Sequence, residues 1–287
     1  MKFDVDWVDA FTDRPFGGNG CAVVHDGAAL DDNTCLAFVR ETSLVECTFT
    51  GRSDVADVRV RYFLASREIP FAGHPTLATV AALRHRGIIG DGALTLETGA
   101  GIVPIVVEGD RVTMTQIAPS FGARPDPALV AAVGGVDPAD IIAPPQVVST
   151  GLPFCITVLR DRSVIERVEL SLPALERYLG ALGVHGTDIM EPFWLTIEDA
   201  GTFARLLMAP PSPAEDPFTG SATGAMASYL WANGLIPSPS FVARQGDGLG
   251  RPGRAQVTVQ GPPDAITGVK ISGQNHVLMT GQLRLGA

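Results

Sequence analysis

The chain has 287 residues, 46% of them hydrophobic and 18% charged, with a formal net charge of −10 and a pI near 4.9. It is long enough to bury one large core or two of ordinary size, and its acidic balance, with no Lys/Arg cluster, excludes phosphate backbones and anionic lipid as partners. With acids in the opening "MKFDVDWVDAF" and no run of eighteen apolar residues, the expectation is a soluble cytoplasmic protein with no nucleic-acid or membrane partner.

The first predicted helix is "DNTCLAFVRETS" (32 to 43), followed by a strand in "SLVECTFT" (43 to 50). Val45, Cys47 and Phe49 share one face of that strand, so Glu46 points to the other, which by position alone makes it solvent-exposed. Strands follow at 58 to 64, 94 to 98, 101 to 108, 111 to 117, 154 to 160 and 255 to 260, where alternating or β-branched runs are separated by Gly, Asp and Pro turns. Antiparallel sheet dominates. A further helix is predicted at "LPALERYLGALG" (172 to 183) and a last strand at "HVLMTGQLRL" (276 to 285). The short Pro-rich stretches at 124 to 128, 141 to 146 and 209 to 216 read as ordered connections. The domain junction is expected near residue 117, giving domains 1–117, completed by 276–287, and 118–275.

Shifted by 147 residues, "EIPFAGHPTLATVAALRHRGII" (68 to 89) lies over "EDPFTGSATGAMASYLWANGLI" (215 to 236). Nine of the twenty-two positions agree: Glu68/Glu215, Pro70/Pro217, Phe71/Phe218, Gly73/Gly220, Thr76/Thr223, Ala78/Ala225, Leu83/Leu230, Gly87/Gly234 and Ile89/Ile236. About one or two would match by composition alone. The offset is about half the chain, which points to a duplication. Pro75 suits a first helical position, which makes His74 the cap of the first helix and Ser221 its counterpart in the second, with Gly87 and Gly234 as terminators. Both helices are apolar on nearly every side and are expected to be central, each enclosed by its own sheet.

If the halves are related by a pseudo-twofold axis, the two helix starts can face one another across a cleft, where free N–H groups and dipole ends would attract a substrate carboxylate. His74 and Ser221 would then touch the ligand, although a histidine cap taken alone is more often structural. Asp216 lies five residues before Ser221; alone, it would be an ordinary loop acid. The four cysteines, Cys21, Cys35, Cys47 and Cys155, lack metal or disulfide spacing and read as small buried side chains. "GDGLGRPG" (246 to 253) joins two strands, which a dinucleotide loop does not. "TGSATG" (219 to 224) lacks the P-loop lysine and the spacing of a hydrolase elbow.

Six blocks carry a resemblance along the whole chain: "DAFTDRPFGGNGCAVV" (9 to 24), "RETSLVECTF" (40 to 49), "RYFLASREIPFAGHPT" (61 to 76), "LETGAG" (96 to 101), "EDPFTGSATG" (215 to 224) and "QGDGLGRPG" (245 to 253). Together they resemble the PhzF-like phenazine-biosynthesis isomerases of the diaminopimelate-epimerase fold superfamily. The resemblance implies an α+β fold of two pseudosymmetric domains, each a β-barrel or curved sheet wrapped around a central α-helix, and a homodimer. It implies Glu46 as the proton-transferring group, with His74, Asp216 and Ser221 around a small carboxylate substrate, Gly73 and Gly220 binding its carboxylate, and Asn19 among the binding residues. Val45, Cys47, the Leu64-Ala65 pair and Phe218 depart from the family's usual residues, which bears on the substrate more than on the chemistry.

Epimerases of that superfamily use two opposed cysteines, whose places here correspond to Ala72 and Thr219; neither is a base at neutral pH. A single carboxylate can instead lift a proton and return it elsewhere on one face, an allylic or 1,5 isomerisation of a conjugated system, with His74 or Asp216 assisting. No metal or organic cofactor is required. Family precedent points to trans-2,3-dihydro-3-hydroxyanthranilate as substrate. The alternatives are a pyrroline carboxylate of another antibiotic pathway, epimerisation by non-cysteine bases, and a non-catalytic binding protein.

Overall fold

Residue alternation along the N-terminal strands decides what they enclose. In the computed structural model, which describes residues 1–183, 191–199 and 201–286, the chain forms two units. The first comprises Met1–Thr115, Pro211–Pro213 and Ser272–Ala287, and the second Gln116–Pro210 and Ala214–Ile271.

The first unit contains β1 (Lys2–Ala10), β2 (Asn19–Val24), α1 (Asp32–Thr42), β3 (Glu46–Gly51), β4 (Val58–Leu64), β5 (Glu68–Ile69), α2 (Gly73–His85), β6 (Gly92–Thr98), β7 (Gly101–Glu108) and β8 (Arg111–Gln116). The ladders run β1–β2 antiparallel, β2–β3 parallel, β3–β4 antiparallel, β4–β6 parallel, then β6–β7 and β7–β8 antiparallel. The last strand of the chain, Gly268–Arg284, pairs with both β8 and β1 and so closes the ring into a barrel. One face of β2, β3 and β4 looks inward onto α2, while Ala22, Val24, Cys47, Phe49 and Phe63 look outward and pack against Cys35 and Val39 of α1. Leu77, Ala78, Val80, Ala82 and Leu83 of α2 are all buried. Each fully buried Leu or Val of this kind contributes about 1.5–3 kcal/mol.

The second unit contains β9 (Ser120–Phe121), α3 (Pro127–Gly134), β10 (Gln146–Ser149), β11 (Pro153–Val158), α4 (Arg162–Ile165), α5 (Leu172–Ala181), β12 (Phe193–Glu198), β13 (Gly201–Leu207), β14 (Glu215–Asp216), α6 (Gly220–Ala232), β15 (Ser240–Gln245), β16 (Gly253–Gln260) and the opening of β17, the long last strand. Its ladders are β9–β10–β11 antiparallel, β11–β12 parallel, β12–β13 antiparallel, β13–β15 parallel and β15–β16 antiparallel. This repeats the alternation of the first unit, and α6 is buried from Gly220 through Leu230. The fold is α+β, with two pseudosymmetric halves, each a sheet wrapped around one helix.

Two of the differences from the sequence expectations concern helix starts. Residues 124 to 128 are not merely a connection, because Asp126 caps α3 by accepting from Ala128 N, and Pro127 opens the helix. The central helices also start earlier than expected. Their N-caps are Ala72 and Thr219, which places His74 and Ser221 second in their helices and Pro75 third. A proline costs nothing there, since no first-turn N–H has a partner within the helix. The helix ends are as expected: Gly87 and Gly234 take left-handed φ of 68° and 64°. Ile88 N donates to Leu83 O and Leu235 N to Leu230 O, closing each last turn.

Candidate functional site

In the first unit, parallel pairing sets Cys21 of β2 beside Glu46 of β3, and antiparallel pairing sets Leu64 of β4 on its other side. Because side chains alternate, Asn19, Cys21, Glu46, Thr48, Tyr62 and Leu64 share the inward face. Their hydroxyls are matched to α2: Thr48 and Thr79 share a hydrogen bond of 2.7 Å, and Tyr62 and Thr76 one of 2.9 Å. Glu46 lies at the end of this face, beside the start of α2. The exposure expected for it from strand position alone is corrected, because it is only 9% exposed. The inward face belongs to a barrel built around a helix.

Glu46 Oε2 lies 3.6 Å from Nδ1 of His74, itself 2% exposed, and the same Nδ1 is 3.0 Å from the Asn19 amide nitrogen. With that amide donating, neutral His74 carries its proton on Nε2; a proton on Nδ1 would instead be offered to Glu46. The ring nitrogen is thus shared by a fixed donor and a carboxylate. The thiol of Cys21 is held well above its usual range by burial, then by Cys47 and the Glu46 carboxylate. Burial likewise pushes up the Tyr62 hydroxyl. Both stay protonated near neutrality, so neither is a base there. All four cysteines are buried and free, as expected, and Cys47, the residue after Glu46, has its thiol pushed up to about 12.

In the second unit, Asp216 sits on the two-residue strand β14, paired with Leu206 of β13, and is 4% exposed, so it is no ordinary loop acid. Its Oδ2 accepts from the Thr219 hydroxyl at 2.6 Å. Gln245 clamps this turn: its amide nitrogen donates to the Asp216 carbonyl at 2.7 Å and to Thr219 Oγ1 at 3.1 Å, while its oxygen accepts from Thr219 N at 3.1 Å. Sequence reasoning assigned no role to Gln245, although it opens "QGDGLGRPG"; a glutamine directly before the glycine turn was the available signal. Gly220 and Ser221 open α6, and the Gly220 carbonyl accepts from the Gln116 amide at 3.0 Å. Thr150 in turn donates to Gln116 Oε1 at 2.7 Å. Gly224 makes room for this contact, since a Cβ there would lie 1.7 Å from Gln116 Oε1. Phe218, expected near the substrate, is buried with its ring against Gly253.

The structure therefore brings Glu46, His74 and Asn19 together in the first unit at the start of α2, with Gly73 in the same turn. It brings Asp216, Ser221 and Gly220 together in the second at the start of α6. Ala72 and Thr219 are the two N-caps. Among the described residues no cluster of His, Cys, Asp and Glu is arranged to hold a metal ion. Likewise no described helix is long and apolar enough to cross a membrane.

Residues 8–281 match the family described as Phenazine biosynthesis-like protein (PhzC-PhzF). An "Uncharacterized isomerase YddE" of Salmonella typhimurium is 33% identical, with 97% of each chain covered. The "Trans-2,3-dihydro-3-hydroxyanthranilate isomerase" of Pseudomonas aeruginosa is 32% identical over 97% of this chain and 98% of its own. The solved structure of a predicted epimerase, PA4716, from Pseudomonas aeruginosa superimposes with a TM-score of 0.83 at 32% identity, covering 99% of this chain and all of the other. With residues 8–281 matched by one family and its relatives named as isomerases, the chain belongs to the PhzF-like phenazine-biosynthesis family and is an enzyme of the isomerase class.

Proposed function

We propose that the protein is a cofactor-independent isomerase that moves a proton within a small unsaturated cyclic carboxylic acid, with trans-2,3-dihydro-3-hydroxyanthranilate as the first substrate to test. The observation that carries this is the placement of Glu46, a desolvated carboxylate 3.6 Å from an imidazole nitrogen that Asn19 also reaches. Glu46 takes the proton from an sp³ carbon flanked by the conjugated system and returns it to another carbon of the same π-system, while the double bonds shift. The electron pair stays within the substrate, so no redox partner enters the balance. His74 and Asp216 assist the proton transfer. The backbone N–H groups of Gly73 and Gly220, with Ser221 and Asn19, bind the substrate carboxylate. The Pseudomonas aeruginosa relative's name supports the substrate choice, and the absence of thiols at Ala72 and Thr219 disfavours two-thiol epimerisation. We further propose that it acts in the cytoplasm as a homodimer.

The test is turnover of trans-2,3-dihydro-3-hydroxyanthranilate followed by ultraviolet spectra in water and in deuterium oxide. Glu46→Gln should lower turnover by about a thousandfold or more with the fold retained, and Ser221→Ala should chiefly raise KM. An unchanged rate in the Glu46→Gln variant rejects the mechanism.

A further inference from the structure

The duplication reaches further in three dimensions than the sequence offset showed. In the first unit Arg61 grips Glu68 with two bonds, Nε to Oε1 at 2.9 Å and Nη2 to Oε2 at 2.7 Å, and its Nη1 donates to the carbonyls of Ala28 and Leu30. In the second, Arg205 grips Glu215 at the same 2.9 and 2.7 Å, and its Nη1 donates to the carbonyls of Ile165, Glu166 and Val168. The ladders agree: Phe63 pairs with Glu68 and Tyr62 with Ile69, just as Leu207 pairs with Glu215 and Leu206 with Asp216. Asp216 therefore occupies the position that Ile69 holds in the first unit.

The same correspondence locates a second glutamate. Thr48 pairs with Tyr62, and Phe193 pairs with Leu206. Two residues before Thr48 stands Glu46, and two residues before Phe193 stands Glu191. Glu191 uses its carboxylate differently. Its Oε1 accepts from Ala209 N at 2.7 Å, at the point where the chain leaves β13 for the loop that returns as β14. Met208 N donates to Ala214 O at 3.0 Å, tying the two ends of that loop together. The residue that follows the Arg205–Glu215 clamp is Asp216.

We propose that Arg205 and Glu191 are positioning residues for Asp216. Arg205 fixes the strand that carries the acid by a planar, two-pronged grip on Glu215, which lysine cannot reproduce. Glu191 fixes the entry to the loop by accepting one backbone hydrogen bond. The role in turnover rests on the isomerase function proposed above; the role in holding the Asp216 carboxylate does not.

The full-length, uniformly ¹³C-labelled protein provides the test, through the side-chain carboxyl resonance of Asp216, assigned by its loss in Asp216→Asn. Arg205→Lys and Glu191→Ala should shift or broaden that resonance at neutral pH. Glu191→Gln, whose amide oxygen still accepts from Ala209 N, should leave it in place, and so should Arg61→Lys, which breaks the equivalent clamp ahead of Ile69. In turnover of trans-2,3-dihydro-3-hydroxyanthranilate, Arg205→Lys and Glu191→Ala should lower kcat by roughly tenfold to a hundredfold, the scale of a misplacement near 1 Å. KM should change little, and Glu191→Gln should restore the rate. An unmoved resonance in Arg205→Lys and Glu191→Ala overturns the proposal even if the melting temperature falls. A Glu191→Gln variant as impaired as Glu191→Ala overturns the brace for Glu191. If the unmodified protein does not turn over this acid, the functional proposal fails, and the resonance still decides the positioning one.

Discussion

Glu46 and Cys47 are chain neighbours with opposite surroundings. Cys47 joins the apolar layer under α1, and Glu46 faces the central helix. Alternation in the sequence was enough to separate the two side chains onto opposite faces. It could not say which face looks inward, because that depends on ring closure by a strand more than two hundred residues away. Two single-residue predictions concern groups outside the proton-transfer set. Gly224→Ala should cost about 1–3 kcal/mol in urea unfolding, because its Cβ would displace Gln116 from the Gly220 carbonyl and from Thr150. The second concerns pH. His25 is buried against Asp6 at 2.8 Å, and its ring is held below its ordinary pKa, chiefly by burial and against the pull of Asp6. The unfolded chain therefore binds more protons than the folded one as pH falls through the unfolded value near 6.5, and the stability contributed by neutral His25 is lost on further acidification. Thermal melts between pH 7.5 and about 5 should fall less steeply for His25→Asn than for the unmodified protein. Identical slopes would show that His25 does not titrate in this window.

At the scale of the element, the central helices show why each begins two residues before the position its sequence suggests. Histidine and serine beside a proline or a small residue look like caps, yet the N-caps are Ala72, which has no side chain to offer, and Thr219, whose hydroxyl is turned to Asp216. In both helices the cap position is released from its usual duty. In α6 the backbone N–H of Thr219 is taken by Gln245, so a side chain from another strand does the satisfying. Nothing in the local sequence announces a partner 26 residues away. Thr219→Val should therefore act on the turn as a unit: it keeps the shape, removes the donor to Asp216 and the acceptor for Gln245, and leaves buried polar groups unmatched. A loss of about 1–3 kcal/mol is expected by chemical denaturation, with kcat reduced more than in Ser221→Ala. A Thr219→Ser variant should recover most of both.

For the molecule as a whole, the repeat was legible where spacing was kept and hidden where it was not. Glu68 and Glu215 are 147 residues apart and appeared in the aligned segment, whereas Arg61 and Arg205 are 144 apart, because the turn between arginine and glutamate is three residues longer in the second unit. An ungapped shift cannot register both, although the two clamps share the same pair of distances, 2.9 and 2.7 Å. What the sequence did show was which helices lie inside. An amphipathic helix needs only one apolar stripe, and α1 and α5 bury only a few side chains each, Cys35 and Val39 in one and Ala174, Leu175 and Tyr178 in the other. By contrast, α2 and α6 are buried over most of their length. Opening an enclosed helix to solvent requires the surrounding sheet to part, whereas a covering helix can lift away by a smaller fluctuation. Hydrogen exchange followed by mass spectrometry should accordingly find the amides of both α2 and α6 among the slowest in the chain, with α1 and α5 exchanging earlier in their own units. Exchange of α2 or α6 ahead of the helix covering its own unit would mean that the barrel does not hold its central helix closed.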